Sequence, residues 1–121
     1  MFKFRPFNHV TILSLVSTAI TQYTYSLLGD GYCEDWVYLP EGSYPARLNA
    51  DNALHDTNAI QECLNRCLGA YGKTGAGTSG GKIGNEAFYV KPNGGCACAV
   101  GNCNKLSTGS YESYAIIPGK R

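Results

Sequence analysis

The chain has 121 residues, one domain's worth of polypeptide. Charged residues make up 16% and the formal net charge is +1, which excludes a nucleic-acid binder that works through a basic field and a highly charged disordered tail. The 15 glycines, 9 tyrosines and 6 cysteines point instead to a turn-rich, bridged fold.

Residues 1–9 carry Lys3 and Arg5 and no acid, and residues 10–20, VTILSLVSTAI, are uncharged and mostly apolar. A basic start before a short apolar run reads as a secretory signal peptide. The run falls well short of the ~20 residues a membrane-spanning helix needs. Ala19 and Ser26 both offer a cleavage point. Ser26 is taken as the boundary, giving a signal peptide over 1–26 and a single domain over 27–121. Losing Lys3 and Arg5 leaves 10 − 2 = 8 basic residues against 9 acidic ones, a mature charge of −1. The expected location is secreted and extracellular. No Asn-x-Ser/Thr sequon is present.

Residues 32–39, YCEDWVYL, are rich in aromatic and β-branched types and predict a strand. Residues 40–56 have no pattern and read as loop. Residues 57–71, TNAIQECLNRCLGAY, place Ile60, Cys63, Leu64, Cys67, Leu68 and Tyr71 on one helical stripe. Asp56, Thr57 and Asn58 are each suited to cap its start, and Gly69 and Gly72 to stop it. The glycine-rich stretch 72–85 reads as a flexible excursion. Two further strands follow over 86–91 and from Cys96 to Val100, joined by the turn Pro92-Asn93-Gly94-Gly95. A last strand spans 110–117 and is ended by Pro118. The expected fold class is α+β: a small disulfide-rich domain with one helix packed on an antiparallel sheet of about four strands.

Six cysteines in an exported chain predict three disulfides rather than a zinc site. Cys63 and Cys67 lie one helical turn apart, a rise of ~6 Å. Cys96 and Cys98 lie on one face of a strand, a rise of ~6.6 Å. Two adjacent bridges can therefore join helix to strand. An antiparallel arrangement pairs Cys63 with Cys98 and Cys67 with Cys96; a parallel one pairs Cys63 with Cys96 and Cys67 with Cys98. Either leaves Cys33 to pair with Cys103.

Catalysis has little to work with. His55 is the one histidine of the expected mature chain, and Glu34 and Asp35 are neighbours that a strand would point to opposite faces. Gly75 to Gly80 matches G-x-G-x-x-G and Gly72-Lys73-Thr74 the end of a P-loop. The first follows a helix instead of opening one, and the second lacks its leading glycine, since that position is Cys67. No enzyme activity, cofactor or metal is expected. Aromatics are the richer resource: Tyr32, Trp36, Tyr38, Tyr44, Tyr89, Tyr111 and Tyr114 combine flat apolar faces with polar tips. Alternation along the first strand puts Tyr32, Glu34, Trp36 and Tyr38 on one side, the candidate binding strip. It turns Cys33, Asp35, Val37 and Leu39 towards the helix.

Glu62-Cys63-Leu64-x-x-Cys67, Ala87-Phe88-Tyr89-Val90, Cys96-x-Cys98 with Cys103 beyond, and Tyr111-x-x-Tyr114-x-Ile116 resemble the apple/PAN-like modules, with Gly31-Tyr32-Cys33 as the opening strand. The resemblance implies a helix cradled by an antiparallel sheet and the nested pairing Cys63–Cys98 and Cys67–Cys96. It also implies non-enzymatic binding or adhesion to an extracellular glycan or protein, with no nucleic acid and no membrane span. Cys-x3-Cys on a helix with Cys-x-Cys on a strand also resembles the cysteine-stabilised αβ peptides, toxins and defensins, for which the parallel pairing is the implied order. Gly119-Lys120-Arg121 looks like the amidation signal of secreted peptides. The alternatives are thus a toxin- or defensin-like effector or an extracellular structural subunit.

Overall fold

The helix α1 spans Thr57–Gly69, and its start is fixed by Asp56, whose side chain accepts a hydrogen bond from the Ala59 amide at 2.9 Å. In this computed structural model, residues 22–41, 53–77 and 80–119 are described. The expected signal peptide up to residue 21, most of the 40–56 loop, Thr78 and Ser79, and Lys120-Arg121 lie outside the described residues. Ile60, Cys63, Leu64 and Cys67 form the buried stripe of α1, and Glu62 and Arg66 pair across one turn on its outer side at 2.8 Å. Tyr71, expected on the stripe, is instead 60% exposed, because the helix stops at Gly69 and the chain turns away at Ala70.

The sheet has five strands: β1 (Tyr23–Cys33), β2 (Trp36–Val37), β3 (Ala87–Val90), β4 (Cys96–Ala99) and β5 (Leu106–Pro118). Their order is β1-β5-β3-β4-β2, and every pairing is antiparallel. One helix on an antiparallel sheet is the expected class, but five strands replace the expected four. The added strand is the long β1, which begins inside the segment assigned to the signal: Tyr23 to Ser26 pair with Pro118 to Ala115. The boundary at Ser26 therefore falls within a strand.

The expected strand over 32–39 is a correction as well. β1 ends at Cys33, the chain turns at Glu34-Asp35, and β2 begins at Trp36 on the opposite edge of the sheet. Cys33 pairs with Leu106 of β5, and only three residues later Trp36 pairs with Ala99 of β4. Three residues span at most ~10 Å, so the sheet curls until its two edges nearly meet. Register shifts at Leu27/Gly29 and Asp30/Tyr32 supply the bend. Gly31 permits it: its φ is +109°, and a Cβ there would collide with the Ser107 carbonyl.

The curl creates two cores. On the helix side, Val37, Leu39, Phe88, Val90, Cys96, Cys98, Tyr114 and Ile116 meet the α1 stripe. On the inner side, Ala87, Tyr89, Ala97 and Ala99 form a floor against which Tyr32, Trp36, Tyr38, Leu106 and Tyr111 pack. Cys33 joins this inner cluster, not the helix side as strand alternation predicts, because the turn at Glu34-Asp35 resets the period.

Three disulfides staple the fold: Cys33–Cys103, Cys63–Cys96 and Cys67–Cys98. The first is the expected pair. The nested pairs Cys63–Cys98 and Cys67–Cys96 are replaced by the parallel set, since α1 and β4 advance in the same direction past each other. Helix rise and strand rise match, so both bridges close with Cα atoms 5.5 and 5.6 Å apart.

The glycine-rich stretch is tied down rather than free. The Gly72 amide donates to the Ile83 carbonyl at 2.8 Å, Gly75 donates to Gly81 at 2.9 Å, and Ala76 donates to Tyr38 at 3.1 Å. Ile83 is buried and anchors the return. Among the described residues no helix is long and apolar enough to cross a membrane.

Candidate functional site

The mouth of the curled sheet gathers aromatic rings around Tyr89. β3 alternates, sending Phe88 and Val90 to the helix and Ala87 and Tyr89 inward. Tyr89 lies 5.9 Å from Tyr32, 6.3 Å from Trp36 and 5.6 Å from Tyr111, ring centroid to centroid. Trp36 and Tyr38 are 4.7 Å apart, and Tyr32 and Tyr111 stand edge to face at 5.6 Å. Tyr89 itself is 2% exposed; the other four are half-buried and form a rim. Trp36 and Tyr38 are backed by Gly77, where a Cβ would come within 3.2 Å of the indole.

Lys91 follows β3 directly. Its ammonium donates to the Tyr38 hydroxyl at 3.1 Å and sits 5.0 Å from the centre of that ring. Two shallow hollows meet here. The inner one, about 230 Å³, is walled by the five aromatics and Lys91. The outer one, about 500 Å³, adds Pro92, Asn93 and residues Thr108, Gly109 and Ser110 of β5 to Tyr32, Tyr111 and Lys91. Neither is lined by a carboxylate.

Burial pushes the Tyr89 phenol well above its ordinary value, and the neighbouring phenols of Tyr38, Tyr111 and Tyr32 add to the shift. Tyr89 therefore remains a neutral donor across the physiological range.

Of the expected strip, Tyr32, Trp36 and Tyr38 come together at this mouth. Glu34 does not: it lies in the turn after β1, accepts from the Ser107 hydroxyl at 2.7 Å, and lines a separate depression with Asp35, Asn102, Asn104 and Lys105. Tyr89, Tyr111 and Lys91 belong to the site and are missing from the strip. Alternation about Phe88 and Tyr114 marks Tyr89 and Tyr111 as facing away from the helix, but only the curl brings them to Trp36.

His55 stands apart from this mouth. Its φ is +69°, and its Nε2 lies 3.3 Å from the buried Glu112 carboxylate, which also accepts from the Tyr114 hydroxyl at 2.8 Å. The sulfurs of Cys63, Cys67 and Cys96 lie within 4.8 Å of one another, the spacing of a metal trio, but each is committed to a disulfide. Comparison with family models, with curated proteins and with solved structures finds no match to this chain.

Proposed function

We propose that this chain is a secreted, non-enzymatic binding module whose ligand is an extracellular glycan held at the mouth of the curled sheet. The observation that carries the reading is the rim of Tyr32, Trp36, Tyr38 and Tyr111 around Tyr89. Sugar rings present C–H faces that stack on flat aromatic surfaces, while their hydroxyls meet the polar tips of tyrosine. Shallow, wet hollows suit such ligands better than they suit a compact apolar molecule. The apple/PAN-like resemblance agrees with binding outside the cell.

The test is a glycan array probed with bridge-intact protein, beside the Trp36→Ala variant. Selective binding that the variant loses supports the reading. No glycan binding, with recovery of a protein partner from extracellular fluid, would replace the glycan by a protein ligand.

A second reading, a toxin-like effector acting on a membrane protein, rests on one observation: the parallel order Cys63–Cys96 and Cys67–Cys98, which the cysteine-stabilised αβ resemblance implies. The expected mature charge of −1 weighs against a cationic membrane-active face. Block of ionic current by the purified protein, insensitive to Trp36→Ala, would favour this second reading.

A further inference from the structure

We propose that the ligand taken at this mouth is an acidic oligosaccharide, whose carboxylate is held by Lys91 and whose ring oxygens or hydroxyls meet Tyr89. The inference rests on the glycan reading above and specifies its ligand class. Two observations carry it.

The first is the state of Lys91. It is the one charged residue lining either hollow, and it is half-buried at the seam between them. An ammonium has three donors. One goes to the Tyr38 hydroxyl, and among the described residues no carboxylate pairs with it. The aromatic wall lowers the local dielectric, so an anion arriving there is attracted more strongly than at an open surface lysine.

The second is Tyr89. A buried phenol ordinarily finds a hydrogen-bond partner. Among the described residues none bonds the Tyr89 hydroxyl, although the residue is 2% exposed and lines the inner hollow. The mouth thus holds an ammonium with spare donors and an unpartnered phenol, with no carboxylate to satisfy either. Its chemical complement is an acceptor-rich anion attached to a flat, stackable ring. A neutral sugar would fill the rim and leave Lys91 uncompensated. With a formal net charge of +1 on the whole chain, general attraction of polyanions does not account for such selectivity.

The experiment compares hexagalacturonate, a hyaluronan octasaccharide and sialyllactose with cellohexaose and lactose by titration calorimetry, using wild type, Lys91→Met, Lys91→Arg, Tyr89→Phe and Trp36→Ala. Intact bridges and a retained melting transition qualify each variant. The expected result is that at least one acidic probe binds about tenfold or more tighter than its neutral counterpart. Lys91→Met removes that preference and Lys91→Arg keeps it. Tyr89→Phe weakens binding severalfold, and Trp36→Ala weakens acidic and neutral probes alike. Equal binding of acidic and neutral probes overturns the anion inference and leaves the glycan reading standing. Acidic preference that survives in Lys91→Met overturns the assignment to this mouth. Binding of no probe overturns the inference and, with a blank array, the glycan reading beneath it.

Discussion

The ring of Tyr25 stands edge-on to that of Tyr114, with centroids 5.3 Å apart and planes at 79°. It also meets Phe88 edge-on at 6.4 Å. Tyr25 thereby closes the helix-side core from β1, and the residues around it extend the ladder with β5. Cleavage after Ser26 would remove this ring and four paired positions. Cleavage after Ala19 would keep them.

The first prediction follows from that contact. Secreted protein begins between residues 20 and 23, as read by N-terminal sequencing or intact mass. A chain started at Leu27 melts lower, by the loss of roughly 1–3 kcal/mol of aromatic burial and pairing. Secreted material starting at Leu27 with an unchanged melting temperature would remove Tyr25 from the core.

The second prediction concerns alkaline pH. Burial pushes Tyr89 and Tyr114 above the ordinary value of 10.0, and for Tyr114 the bond to the Glu112 carboxylate adds to the shift. In the unfolded chain both phenols release their protons near that ordinary value, while the folded chain retains them. Stability is therefore fully present below about pH 10 and falls above it, by up to about 1.4 kcal/mol per pH unit for each phenol. Denaturant midpoints from about pH 8 to about pH 11 measure the slope. The double variant Tyr89→Phe, Tyr114→Phe is less stable at neutral pH, because Glu112 loses its donor, but its alkaline slope is flatter. An equal slope in both proteins would assign the loss to other groups.

The helix is legible in the chain because its apolar residues repeat at 3.6-residue spacing and Asp56 stands where a cap is needed. The β3–β4 hairpin is legible from Pro92-Asn93-Gly94-Gly95 between two apolar runs, and Asn93 does accept from the Gly95 amide at 2.9 Å. β1 is not, since its first residues adjoin an apolar export-like run and Gly29 and Gly31 break its alternation. The aromatic mouth is half-legible for the same reason: Tyr32, Trp36 and Tyr38 are near in sequence, while Tyr89, Lys91 and Tyr111 reach them only through the curl. The sense of α1 against β4 is a tertiary property, because cysteine spacing fits both directions equally.

That sense is open to chemical mapping, the third prediction. Trypsin cuts after Arg66, between Cys63 and Cys67, and an elastase cuts after Ala97, between Cys96 and Cys98. With the further tryptic cuts after Lys73 and Lys82, which lie between Cys67 and Cys96, the four sulfurs fall on separate peptides. Mass spectrometry is expected to find Cys63 linked to Cys96 and Cys67 to Cys98. Removing the pair Cys63 and Cys96 together costs about 3–4 kcal/mol, as expected for the 33-residue separation it closes. Crossed linkage under non-shuffling conditions would reverse the helix relative to β4.

The last prediction separates the two faces of β2. Trp36 and Val37 are neighbours, but Trp36 is half-buried on the inner rim and Val37 is fully buried against the helix-side core. Val37→Ala removes buried methyl groups and leaves a small void, which destabilises by about 1–3 kcal/mol. It leaves the mouth intact, so ligand affinity in the folded protein is unchanged. Trp36→Ala also costs some stability, because the indole packs on Tyr38 and Tyr89 and shields Gly77. Its larger consequence is in binding, where losing a central stacking face weakens affinity by about tenfold or more. The two variants thus move different quantities: melting temperature with constant affinity for Val37→Ala, and affinity out of proportion to melting temperature for Trp36→Ala. Thermal melts paired with calorimetry on the same samples make the comparison. If both variants lower affinity only as far as they lower stability, Trp36 is a core residue like its neighbour and the mouth has no stacking role.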